Sequence, residues 1–113
     1  MRELGILYFV VETVLDIVRY KGLSEVKSIV LEVGAQSPVV PGYLSDCFPA
    51  AVSGTILERA ELMISVLPAE GWCRACGKKF KAAGRKVACP VCGSADCELL
   101  NDPEFNIKEI AAC

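Results

Sequence analysis

Two cysteine knuckles, Cys73-Arg74-Ala75-Cys76-Gly77 and Cys89-Pro90-Val91-Cys92-Gly93, stand 12 residues apart, and nothing else in the sequence constrains the fold as tightly. Each CxxC turn presents two thiolates side by side, and the following glycine permits the positive φ that lets backbone N–H groups approach sulfur. Two such turns face each other around one tetrahedral ion, the pattern of a structural zinc on four cysteines. A closed set of four thiolates leaves no open position for water or substrate, so the expected role of the metal is structural. Rubredoxin-like iron is a competing reading, and a thioredoxin-like redox pair would explain only one of the two units.

The other residues narrow the chemistry. The chain has 113 residues and no histidine, which removes His-based acid–base catalysis and Ser-His-Asp and Cys-His triads. No glycine pattern forms a phosphate-binding loop. The expectation is a protein that is not an enzyme. Seven cysteines are an odd number in paired spacing, which fits metal better than a disulfide scaffold. Of the three outside the knuckles, Cys47 reads as a small buried apolar residue, Cys97 as a neighbour able to exchange with a ligand, and Cys113 as an exposed thiol or soft metal ligand.

Lys and Arg total 12 and Asp and Glu 14, so no global attraction to nucleic acid or membrane is expected. Six of the basic residues, Arg74, Lys78, Lys79, Lys81, Arg85 and Lys86, lie between Cys73 and Cys92 with no acid among them. Their structural role would be to offset the charge of a tetrathiolate metal. The functional alternative is a nucleic-acid-binding ribbon, with Arg74, Lys78, Lys79 and Lys81 on phosphates and Trp72 or Phe80 stacked on bases. The apolar start is interrupted by Glu3, Glu12, Asp16 and Arg19, so neither a signal peptide nor a membrane span fits, and the cytoplasm is the expected compartment.

Leu4, Leu7, Tyr8, Val11, Val14, Leu15 and Val18 recur at helical spacing and predict a helix over residues 4–20, stopped by Gly22. Ile6, Val10 and Ile17 form a second face, either a second core layer or a docking surface for a partner or a second copy. Residues 24–33 and 60–67 read as strands, and residues 105–110 as a last one. Pro41 opens a second helix over about residues 42–52, in which Pro49 makes the length uncertain. The sum is an α/β fold of helices on a small mixed sheet, with the cysteine insert ahead of a strand that rejoins it.

The short start Met1-Arg2-Glu3-Leu4 running into a helix, VKSIVLEVGAQSPVVPGYL, GTILERAELMISVLPAEGWCRACGKKF, and CPVCGS followed by FNIKEI together resemble the HypA family of nickel chaperones over the whole length. That family assists maturation of nickel–iron hydrogenases and, in some organisms, of urease. The resemblance implies two helices on a three-stranded mixed sheet, formed by residues 1–70 and 103–113, with a zinc ribbon at 71–102. It also implies docking to a maturation GTPase of the HypB type, delivery of nickel to the hydrogenase large subunit, and a homodimer as one possible assembly.

The family begins Met-His-Glu and holds nickel near the N-terminus through the histidine side chain and terminal nitrogens, whereas this chain has Arg2. A guanidinium has five donors and no lone pair to offer, so it cannot replace imidazole. The nickel position implied by the resemblance is therefore Met1, Arg2 through its backbone alone, and Glu3, with Cys113 as a soft candidate for the missing ligand. Three readings of Arg2 stay open: a paralogue that has lost nickel, a rebuilt site, or an altered copy of an ordinary member.

Overall fold

The computed structural model describes residues 2–82, 88–100 and 104–113. Helix α1 (Arg2–Lys21) ends in a Schellman turn: Gly22 adopts φ 65°, and the Leu23 N–H returns to the Val18 carbonyl at 3.0 Å. Strand β1 (Val26–Gly34), helix α2 (Pro41–Val52) and strand β2 (Glu61–Leu67) follow as a βαβ unit, with β2 parallel to β1. Strand β6 (Phe105–Ala112) pairs antiparallel with the other edge of β1, giving the mixed order β2-β1-β6.

The alternation in β1 changes phase, because register shifts lie between Val26 and Ser28 and between Val30 and Leu31. Val26 is therefore buried together with Ile29, Leu31 and Val33, although plain alternation puts it on the opposite side. Those residues meet Leu7, Val10 and Val14 of α1 and Leu44, Phe48 and Val52 of α2. Burying one such aliphatic side chain contributes about 1.5–3 kcal/mol. Cys47 is half-buried and packs against this core, as an apolar residue would. Pro49 lies in the last turn of α2, where it removes one hydrogen bond without stopping the helix.

The buried arc of α1 consists of Glu3, Ile6, Leu7, Val10, Val11, Val14 and Val18. It is turned by roughly 60° from the stripe predicted by spacing, taking 100° per residue. Tyr8, assigned to the stripe, is 55% exposed. Ile6 and Val10 are in the core, which corrects their reading as a docking face; only Ile17 of that trio is part-exposed. The cause is α2, which packs on α1 beside the sheet, so two adjacent faces are covered instead of one.

Strands β3 (Glu70–Cys73), β4 (Lys79–Lys81) and β5 (Cys97–Leu99) form a second antiparallel sheet in the order β4-β3-β5. The radius of gyration is 17.7 Å and the longest extent 53 Å, against about 13 Å for a compact chain of this length. Among the described residues, no helix is long and apolar enough to cross a membrane.

Candidate metal centre

Both knuckles are built by the same local geometry. Gly77 and Gly93 each adopt φ 74°, and their N–H groups return to the carbonyls of Cys73 and Cys89 at 2.8 and 2.9 Å. A side chain at either position would strain that turn. The turn aims the next amide at sulfur: the Cys76 N–H donates to Cys73 Sγ at 3.4 Å and the Cys92 N–H to Cys89 Sγ at 3.5 Å. Across the pair of turns, Cys73 Sγ lies 3.5 Å from Cys92 Sγ, and Cys76 Sγ lies 3.6 Å from Cys89 Sγ.

All four sulfurs are within 4.8 Å of one another. A tetrahedron of thiolates about 2.3 Å from a central ion has edges of about 3.8 Å, so the donor set fits a tetrahedral metal. Disulfide bonding, with sulfurs about 2.05 Å apart, is a different geometry. Cys73 and Cys89 are buried, while Cys76 and Cys92 are exposed.

The thiols also differ in acidity, and burial alone does not decide the direction. In the metal-free chain the Cys76 N–H favours the Cys73 thiolate and outweighs burial, bringing that thiol down to about 6. Cys89 is lowered chiefly by the Cys92 N–H. The Lys78 N–H favours the Cys76 thiolate, yet burial and the neighbouring sulfurs raise that thiol. The Ser94 N–H likewise favours the Cys92 thiolate, but Cys73 and Cys89 outweigh it and push Cys92 up to about 12. Cys97, the register partner of Cys73 on β5, is half-buried and donates to the Ser94 carbonyl at 3.4 Å; burial, then the Cys73 sulfur, raises its thiol. It stands behind the four sulfurs, outside the group that can share one ion.

The basic segment meets acids that lie outside it in sequence. Arg74 forms 3.0 Å ion pairs with Asp96 and Glu98, and Lys81 faces Glu70 across the β3–β4 ladder. Trp72 stands between Lys79 and Glu98 in register. The Phe80 ring covers Gly71, where an added Cβ would meet Cζ at 2.6 Å. Arg74 and Phe80 are thus engaged within the ribbon, which disfavours the nucleic-acid reading; Arg85 and Lys86 lie outside the described residues. Asp96 and Glu98 were not singled out from the sequence, since only strand pairing brings them to the first knuckle.

At the other predicted position, Met1 lies outside the described residues. The Arg2 guanidinium sits 3.5 Å from Glu104, both about half exposed. Glu3 is buried, 6% exposed, and its Oε2 accepts the Val40 N–H at 3.0 Å. That bond, and a second with its own N–H, hold the carboxyl below its usual range against the opposing effect of burial. The Cys113 carbonyl accepts from the Ser24 and Glu25 N–H groups and its own N–H donates to the Glu25 carbonyl, beyond the far end of α1. Twenty helical residues span about 30 Å, so Cys113 cannot complete a site at residues 1–3.

A family model for hydrogenase/urease nickel incorporation, the metallochaperone HypA, matches residues 1–112. Among curated proteins, the chain is 38% identical over 110 residues to the hydrogenase maturation factor HypA of Prosthecochloris aestuarii, covering 97% of each. It is 36% identical, with the same coverage, to that of Rhizobium leguminosarum bv. viciae. Among solved structures, the Ni metallochaperone HypA from Helicobacter pylori superposes with a TM-score of 0.68 at 15% identity, over 97% of this chain and 96% of that one. A second solution structure, of a HypA protein, gives a TM-score of 0.75 at 16% identity over 100% and 97%. At those identities the superpositions speak for the fold.

Proposed function

The chain belongs to the HypA family of hydrogenase-maturation nickel metallochaperones, and from that premise we propose that it is a cytoplasmic, non-catalytic nickel chaperone with one structural zinc on Cys73, Cys76, Cys89 and Cys92. The single observation that carries the reading is the match over nearly the whole length. The sulfur tetrahedron supports zinc in particular, because a d¹⁰ ion has no geometric preference opposing that arrangement, whereas nickel(II) favours planar sites.

Nickel is the cargo. With no imidazole in the chain, the donors left at the N-terminus are the amine of Met1 and the amides of Arg2 and Glu3, nitrogens that suit planar nickel once deprotonated. The recipient is the hydrogenase large subunit, reached through a GTPase of the HypB type.

Affinity purification from the native organism tests the assignment. Recovery of a maturation GTPase or a hydrogenase subunit is the expected result; ribosomes or nucleic acid without maturation proteins would overturn it. Elemental analysis of untagged protein should return about one zinc per chain. Blocking the terminal amine by acetylation should weaken nickel binding sharply while the zinc stays.

A further inference from the structure

Helix α2 begins without a cap of its own. Its N-cap residue is Val40, whose side chain has no polar atom, Pro41 occupies the first turn, and that turn contains no acid. A helix start leaves unpaired N–H groups and a partial positive charge, usually met by a Ser, Thr, Asp or Asn at the cap and by a carboxylate reaching back to the N-cap N–H. Here the carboxylate comes from another helix, 37 residues away: Glu3 Oε2 accepts the Val40 N–H at 3.0 Å. Glu3 is also the one charged residue in the core among those described.

We infer that Glu3 is the missing half of a capping box for α2, a positioning residue that clamps the first turn of α1 to the start of α2, and that it is not a metal ligand. A carboxylate withdrawn to bind nickel would leave a part-buried N–H without its acceptor and the helix start without its counter-charge. Arg2 supports the same division of labour, because its guanidinium lies at Glu104 at the head of β6 and has no lone pair for a metal. The side chains of residues 2 and 3 therefore tie the start of α1 to the start of α2 and to the approach to β6, and neither can swing to a metal without giving up that contact. The part concerning nickel rests on the proposed chaperone function; the capping role does not.

The test uses Glu3→Gln in the full, zinc-loaded protein, with nickel(II) chloride as the probe. Three readouts are taken: the proton shift of the Val40 amide, the melting temperature without nickel, and nickel affinity. An amide bonded to a carboxylate resonates downfield, so the variant should move the Val40 signal upfield, lower the melting temperature by several degrees, and leave nickel affinity within about twofold. An unmoved Val40 amide, or a loss of nickel affinity of tenfold or more, would overturn the inference. Should the wild type bind no nickel at all, the chaperone reading fails and the amide and melting readouts still decide the cap.

Discussion

The thiols of the metal centre are chemically unequal although their spacing is symmetric. Cys73 titrates near 6 in the metal-free chain and Cys92 near 12: each accepts an amide bond that favours its thiolate, but the neighbouring thiols add to that effect at Cys73 and outweigh it at Cys92. Metal binding requires all four as thiolates, so each thiol still protonated gives up a proton on loading and competes with the metal as pH falls. At neutral pH Cys76 and Cys92 carry their protons and Cys73 largely does not. Zinc affinity should thus fall by at least about a hundredfold per pH unit below 7.5, since two or more protons are displaced. The slope should steepen below 6, as Cys73 also protonates. Competition against a chromophoric chelator measures it; a slope near tenfold per unit would mean that only one thiol is protonated beforehand. That Cys73, Cys76, Cys89 and Cys92 come together was legible from spacing alone. The role of Glu3 was not, because its partner is a backbone N–H on Val40, 37 residues away, and a valine carries no capping signal.

Elements were legible in proportion to how many residues repeat the pattern. The 20-residue α1 and the 9-residue β1 gave enough periods to be located within a few residues, whereas β3, β4 and β5, at 4, 3 and 3 residues, are too short for any period to show. What fixes the ribbon strands is pairing, and the Gly71–Phe80 contact is its clearest expression. An alanine at 71 would place Cβ 2.6 Å from Phe80 Cζ, forcing the ring off the sheet at a cost of about 1–3 kcal/mol. Binding of the proposed zinc is linked to ribbon folding, so Gly71→Ala should weaken zinc binding by roughly 5- to 150-fold. Gly5→Ala is the matched control: nothing lies within 4 Å of the added Cβ in the exposed face of α1. It should raise stability by about 0.4–1 kcal/mol and leave zinc affinity unchanged. Equal effects from both substitutions would mean that Phe80 has free space to move into.

At the scale of the whole molecule, the two sheets are stabilised by different means. The hydrophobic core draws on α1, β1, Val39, α2, the Leu57 and Ala60 turn, β2 and β6, and among the described residues takes none between 68 and 104. Ten strand residues in that interval cannot bury enough apolar surface to offset their ordering, about 1–2 kcal/mol per residue for the backbone alone. The zinc proposed on the four cysteines would supply the difference, and apparent zinc binding energies of about 10–16 kcal/mol in small zinc domains are of the required size. Removing the metal should then unfold one sheet and spare the other. With excess chelator at neutral pH, amides of β3, β4 and β5 should lose hydrogen-exchange protection and the Trp72 emission should shift to the red. Amides of β1 and the middle of α1 should keep their protection, because their core is complete without the ribbon. Loss of protection throughout the chain would instead mean that β6, which follows the ribbon in sequence, needs the folded ribbon in order to stay paired with β1.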